Sequence, residues 1–94
     1  MGAARTGLPH YTNEQGGSLY AARIASIEPF KFGPPHSVKV RFSEFKKEMN
    51  LIGSWVDQNR PSVGGYIVVK DSQDGDTACY FEDAKVFEKK NKRA

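Results

Sequence analysis

Histidine and cysteine, the residue types that hold structural zinc, are few in this 94-residue chain. The two histidines, His10 and His36, and the single cysteine, Cys79, are too few and too widely spaced for a structural zinc site. No nucleophile elbow or comparable motif frames a serine or a cysteine with a histidine and a carboxylate. We therefore expect no catalytic residue, no metal, no cofactor and no enzymatic activity. Cys79 falls in a predicted strand, so we interpret it as a small buried apolar residue.

Two glycine-containing stretches have compositions that suggest ion binding, and both have a simpler interpretation. Residues 71–76, DSQDGD, are composed like a calcium loop, but an EF-hand needs oxygen ligands at alternate positions and flanking helices. Gly75 falls on a ligand position and the flanking residues predict strands, so the stretch indicates a turn. Gly64-Gly65 is followed by neither GK[ST] nor GxGxxG, so it predicts no phosphate loop.

Positive charge is concentrated at the end of the chain. The formal net charge is +3, from 14 Lys and Arg against 11 Asp and Glu. Four of these cations lie in residues 89–94, so residues 1–88 hold ten cations against eleven anions. The tail has no interleaved aromatic side chains on which bases would stack. The concentrated positive charge nevertheless gives an alternative function, a small nucleic-acid-binding module that uses the sheet face and this tail. Its candidate residues are Lys39, Arg41, Lys89, Lys90, Lys92 and Arg93.

A Pro-rich loop over residues 28–36, EPFKFGPPH, contains two aromatic residues, Phe30 and Phe32. In one interpretation both rings pack under the sheet, because a domain of this size needs most of its aromatic residues in the core. In the other, the rings form an apolar surface for a partner, and the prolines reduce the entropy that the loop loses on binding. The second interpretation gives the candidate partner-binding residues Phe30, Lys31, Phe32, Pro34, Pro35 and His36.

The clearest structural signal is a β-hairpin within residues 61–81. Tyr66 to Val69 form a β-branched and aromatic run, Asp74-Gly75 is a typical hairpin turn, and Thr77 to Phe81 predict the returning strand. Two further strands precede the hairpin. Leu19 to Ile27 alternate in a way that suits a strand buried mainly on one face, and Ser37 to Phe42 predict a strand with one solvent-exposed side.

Two helical segments complete the predicted fold. Ser43 is a plausible N-cap for a helix that ends at Gly53, because Phe42, Phe45, Met49 and Ile52 recur at helical spacing, and residues 54–58 predict a further short turn. Residues 82–90 predict a short helix that opens with acidic residues and closes with lysines, and Phe81, Ala84 and Phe87 would face the sheet. We expect one core that includes Trp55, Tyr66, Val68 and Phe87.

The fold class is therefore α+β, with a small curled antiparallel sheet of about four strands, a middle helical segment and a short C-terminal helix. We expect residues 1–17 to form a flexible N-terminal arm that docks through Leu8 and Tyr11, residues 18–90 to form a single domain, and residues 91–94 to form a basic tail. No apolar run approaches the ~20 residues of a membrane span. We therefore expect no membrane association.

Several stretches together resemble small accessory proteins of tailed bacteriophages and prophages. The resemblance covers the strand YAARIASI at residues 20–27, PSVGGYIVV at 61–69, the Asp74-Gly75 turn and the closing AKVFE at 84–88. Those proteins show a P-x-x-G-G/D-Y-hydrophobic hairpin and a final A-x-x-F-E segment. The chain departs from them at Asp76, where they often have an aromatic residue, and before the last helix, where they commonly have Ser-Pro.

The resemblance implies a setting rather than a mechanism, because it carries no assigned chemistry. It implies a phage-encoded accessory protein, which we expect in the host cytoplasm. By analogy with other small phage proteins, we expect a non-enzymatic protein that binds a host protein and inhibits a host factor or a defence system. The identity of that host protein and the oligomeric state are open.

Overall fold

The computed structural model describes residues 9–44, 46–70 and 77–93, with the backbone alone for residues 92 and 93. These residues form an α+β fold in which a curled antiparallel sheet is accompanied by two short helices. In chain order the elements are β1 (His10–Asn13), β2 (Ser18–Pro29), β3 (Val38–Phe42), β4 (Glu48–Leu51), α1 (Gly53–Asn59), β5 (Tyr66–Lys70), β6 (Thr77–Glu82), α2 (Ala84–Lys90) and β7 (Asn91–Arg93).

The long strand β2 organises the sheet, because it pairs with three other strands. β1 and β3 both pair with the same edge of β2, one after the other along its length. At the point where they meet, the Ala21 N–H donates to the Pro9 carbonyl and the Ser43 N–H donates to the Arg23 carbonyl. The backbone of Ile24 faces the opposite edge, where its N–H donates to the Gly65 carbonyl and its carbonyl accepts from the Gly64 N–H, both at 2.9 Å, immediately before β5. β4 and β6 extend the sheet beyond β3 and β5, and β7 extends it beyond β1.

Strand β5 is buried on both faces, which explains its continuous run of apolar residues. Ile67 and Val69 point into a cluster with residues of β2, β3 and β4, and the side chains of Trp55 and Val56 from α1 pack against that cluster. Tyr66 and Val68 point the other way, into a second cluster that contains Tyr11, Ala21 and Phe87. Each helix therefore covers one face of the same strand.

Several sequence-based predictions are confirmed. β2 and β3 occupy the predicted positions, and Val40 and Phe42 are buried while Arg41 is exposed. β5 and β6 pair as an antiparallel hairpin, although the predicted Asp74-Gly75 turn lies outside the described residues. α2 begins after Asp83, whose side chain accepts from the Lys85 N–H at 3.1 Å, and it has Lys89 and Lys90 in its last turn.

The helix predicted over residues 43–53 is wrong. Residues 48–51 form the strand β4, in which Met49 and Leu51 point inward and Glu48 and Asn50 are exposed, so the period is two and not 3.6. Of the apolar residues at helical spacing, Phe42 and Met49 therefore belong to two strands and Ile52 precedes a helix, while Phe45 lies outside the described residues. Gly53 begins α1 instead of ending a helix, and the predicted short turn at residues 54–58 is α1 itself.

Three other expectations need correction. The described residues form seven strands rather than about four, because β1 forms within the predicted arm, β4 forms within the helix predicted over residues 43–53, and β7 forms within the predicted tail. The middle helical segment is α1. β1 pairs with β2 and β7, and Tyr11 is buried as expected, while Leu8 lies outside the described residues. Trp55 packs against a different cluster from Tyr66, Val68 and Phe87, so the predicted single core is two clusters. Cys79 is exposed, not buried.

No helix in the described part of the chain is long and apolar enough to cross a membrane.

Candidate functional site

The most exposed aromatic side chain of the described residues lies in the β2–β3 loop, residues 30–37, which begins two residues later than predicted because β2 runs to Pro29. Backbone hydrogen bonds close this loop. The Phe30 N–H donates to the Ser37 carbonyl at 2.9 Å, and the Ser37 N–H donates to the Pro34 carbonyl at 3.1 Å. A weaker bond of 3.4 Å joins the Gly33 N–H to the Phe30 carbonyl. The loop is thus a compact turn with its own backbone contacts.

The β2–β3 loop packs on the first turn of α1. The Ser37 hydroxyl, which is buried, accepts a hydrogen bond from the Gly53 N–H at 3.1 Å, so the loop satisfies a backbone donor that the helix start leaves unpaired. A side chain at position 53 would overlap the Pro35 carbonyl oxygen and would lie 3.1 Å from the His36 Cβ. Only glycine permits this close approach. Sequence analysis missed this contact, because the two segments are 16 residues apart and neither shows a motif.

His36 makes a second contact between the loop and α1. Its backbone has a φ of 72°, in the left-handed region, and its Nδ1 lies 3.3 Å from Asp57 Oδ2. Both side chains are largely exposed, so this pair contributes little to stability. It shows that the end of the loop lies against one side of the helix.

The two aromatic residues of the loop have different environments. Phe30 is half-buried, and its Cδ2 lies only 2.9 Å from where a Gly33 Cβ would be, so its ring folds back over the loop. Phe32 is 93% exposed and contacts Phe30 edge-on, with 6.1 Å between ring centroids. The interpretation of both rings as core is therefore wrong for Phe32. Four other residues of the loop are also exposed, namely Lys31, Pro34, Pro35 and His36.

The candidate nucleic-acid residues on β3 are paired with carboxylates. Lys39 Nζ lies 3.8 Å from Glu48 Oε1, and Arg41 Nε lies 2.9 Å from Glu48 Oε2 and 3.8 Å from Glu28 Oε2. Alternating charges of both signs therefore cover the outer side of β3 and its neighbours. A phosphate backbone is attracted by a surplus of cations, which this surface lacks.

Among the candidate cations near the C-terminus whose side chains the structure describes, Lys90 is paired with a carboxylate. Lys90 Nζ lies 2.7 Å from Glu82 Oε2, and this hydrogen bond is the main cause that raises the pKa of Lys90. Lys89 is exposed in the last turn of α2. Lys92 and Arg93 belong to β7, so their backbones extend the sheet.

A polar cluster that sequence analysis did not predict joins β2, β5 and α2. The Tyr66 hydroxyl donates to Glu88 Oε2 at 2.7 Å, and Arg23 Nη1 lies 3.8 Å from the same oxygen. Burial, and then the hydrogen bond to Glu88, raise the pKa of Tyr66 above its ordinary value. The Tyr66 ring stacks on Phe87 with 4.3 Å between centroids. The hydrogen bond and the ring stack therefore connect α2 to β5.

The described residues contain no group of three or more His, Cys, Asp and Glu side chains placed to hold a metal ion. His10 lies beside Tyr20 on β1 and β2, His36 lies in the β2–β3 loop, and Cys79 lies on β6. An open apolar groove of about 260 Å³ lies between β4, α1 and β6, with Met49, Leu51, Ile52, Trp55 and Ala78 among its lining residues. It has no titratable side chain in its lining.

No protein-family model matches the chain, and neither a curated protein nor a solved structure matches it.

Proposed function

We propose that the chain is a non-enzymatic binding module that attaches to another protein through the β2–β3 loop, with Phe32 at the centre of the contact. The observation that supports this most directly is the 93% exposure of Phe32 on a loop whose backbone is hydrogen-bonded at both ends. An aromatic side chain in such a position contributes nothing to the core of the chain. Aromatic residues are common among the few side chains that dominate binding energy at protein interfaces.

The loop suits this role energetically because it is ordered before binding. Its hydrogen bonds to itself and to Gly53 leave little backbone freedom to lose when a partner binds. Full burial of a phenylalanine side chain contributes about 1.5–3 kcal/mol, and a preorganised loop retains most of that free energy. Lys31 lies next to Phe32 and is exposed. The partner surface that fits is therefore an apolar pocket with an acidic rim.

The proposed partner is a host protein in an infected bacterial cell, where the module would act as a phage-encoded inhibitor of a host factor or a defence system. This setting rests on the resemblance of residues 20–27, 61–69 and 84–88 to phage accessory proteins. We propose the host cytoplasm as the location. The carboxylates that pair with Lys39 and Arg41 support protein binding over nucleic-acid binding.

The test is affinity capture from bacterial lysate with the full chain as bait, followed by quantitative mass spectrometry. The bait is compared with Phe32→Ala and with Val63→Ala, a matched control in which an apolar side chain that is 60% exposed is removed from another turn. We expect the captured host protein to fall about tenfold or more with Phe32→Ala, which corresponds to about 1.4 kcal/mol, and to stay unchanged with Val63→Ala.

Nuclease treatment distinguishes the alternative function. Capture that survives nuclease and depends on Phe32 supports the proposed function. Capture that nuclease abolishes, or capture that is equal for both alanine variants, contradicts it. Both variants should unfold at the wild-type denaturant concentration, since neither side chain is buried.

A further inference from the structure

The open apolar groove between β4, α1 and β6 adjoins the β2–β3 loop. Ile52 lines the groove and is 54% exposed, and it directly precedes Gly53, against which the Pro35 carbonyl packs. Specific interfaces bury about 800 Å² on each partner, whereas one phenylalanine side chain supplies about 150–250 Å². An interface centred on Phe32 must therefore extend over adjoining surfaces, and the groove is one of them.

The lining of the groove indicates which ligand it fits. None of its described side chains is titratable, so a charged ligand group would lose its hydration without gaining an ion pair. The volume of about 260 Å³ is below the roughly 300–1,000 Å³ of typical small-molecule sites, and it suits one large apolar side chain. The described lining residues are Met49, Asn50, Leu51, Ile52, Trp55, Thr77 and Ala78.

Trp55 adds a requirement for a hydrogen-bond acceptor. It lines the groove, and its Nε1–H is buried with no hydrogen-bond partner in the described part of the chain. A buried donor that stays unpaired keeps the full cost of its desolvation, which an acceptor on a ligand would remove. Since Nε1 is itself inaccessible to solvent, the half-buried ring must turn slightly as the ligand enters. An apolar side chain beside a carbonyl is the chemistry of a peptide.

We propose that the groove binds a neutral peptide segment of the same partner that takes Phe32. The segment inserts one apolar side chain between β4 and β6, and its adjacent backbone carbonyl accepts from Trp55 Nε1. The identity of the partner rests on the proposed function, whereas the preference of the groove for a neutral, apolar peptide is measured on this chain alone.

Nitrogen-15 NMR of the full chain tests the groove, because Trp55 is the single tryptophan and its indole N–H gives one isolated signal. The probe is acetyl-Gly-Leu-Gly-amide, compared with peptides in which glutamate, lysine or glycine replaces the leucine. We expect a saturable shift of the indole signal with the leucine peptide and at least tenfold weaker binding of the other three. A leucine peptide that gives no saturable shift, or that binds no more tightly than the glutamate peptide, would overturn the proposal.

The matched variants are Ile52→Asp, which places a charge in the groove, and Val63→Asp, at a side chain 60% exposed that is not among the described lining residues. Position 52 is the N-cap of α1, where aspartate is favoured, so the first variant should retain its fold in circular dichroism. We expect Ile52→Asp to weaken the leucine peptide at least tenfold and Val63→Asp to leave it unchanged. Equal binding by the two variants would contradict the assignment of the groove.

The same variants in the affinity capture test whether one partner covers both surfaces. Loss of the captured host protein with Phe32→Ala and with Ile52→Asp, but not with Val63→Asp, supports a shared partner. Capture that depends on Phe32 but not on Ile52 overturns the shared partner and leaves the proposed function intact. Capture that Phe32→Ala leaves unchanged contradicts the proposed function and the shared partner together, even where the leucine peptide binds.

Discussion

Substitution of Gly53 by alanine should destabilise the chain, although the same change usually stabilises a helix. Alanine favours a helix over glycine by up to about 1 kcal/mol. At position 53, however, the new Cβ would overlap the Pro35 carbonyl oxygen and approach the Pro35 carbonyl carbon to 2.9 Å. α1 cannot move away freely, because Trp55 and Val56 pack against the core. The β2–β3 loop must therefore shift, and the Ser37 hydroxyl loses its bond from the Gly53 N–H.

The expected net effect is a loss of about 1–2 kcal/mol, since overpacking in a closely packed region costs typically 1–3 kcal/mol. Urea denaturation monitored by circular dichroism measures it, with Ser54→Ala as the control for helix propensity. Ser54 is exposed in the same turn, and its side chain does not cap the helix. We expect Ser54→Ala to leave stability unchanged or slightly increased. If Gly53→Ala unfolds at the same or a higher urea concentration than Ser54→Ala, the loop does not pack on α1 in the way described.

Three further predictions concern the second core cluster and the sheet. Phe87→Ala, at a fully buried ring, should cost about 3–5 kcal/mol in urea denaturation, whereas Val86→Ala, at a side chain 45% exposed, should cost under ~0.5 kcal/mol. Because the pKa of Tyr66 is raised in the folded chain, the protonated Tyr66 hydroxyl stabilises the fold fully below about pH 10, and this stabilisation is lost as pH rises through the folded pKa. Thermal unfolding at alkaline pH should therefore show a smaller loss of stability for Tyr66→Phe than for the wild-type chain. Deletion of residues 91–94 removes β7 from β1 and should lower the thermal midpoint, and an unchanged midpoint would show that this pairing contributes nothing.

The strands that the sequence predicts correctly are those whose pattern is local. β3 alternates apolar and charged residues, and β5 is a short run of β-branched and aromatic residues, so each follows from its own composition. α2 is also a local prediction, because Asp83 caps its start and lysines occupy its last turn. In each case the residues within one element are sufficient to specify it.

The elements that sequence analysis missed depend on distant neighbours. β7 is three residues long and has no apolar pattern, so it forms only because β1 offers an edge for pairing. β4 is similarly short, and its inward-facing Met49 and Leu51 are compatible with a helix until the pairing with β3 is known. Such short strands are specified by their hydrogen-bonded partners and by burial, not by propensity.

The exposure of Phe32 follows from the same kind of distant contact. The sequence presents two phenylalanines in one loop, and nothing in their immediate neighbours distinguishes a core ring from a surface ring. In the fold, the start of α1 packs directly under the loop, where Gly53 contacts Pro35 and binds Ser37. The Phe30 ring fills the remaining space beside Gly33 and Ser37. One ring is accommodated and the other faces solvent. The exposure of Phe32 is therefore determined by a helix that begins 21 residues further along the chain, about which the loop sequence carries no information.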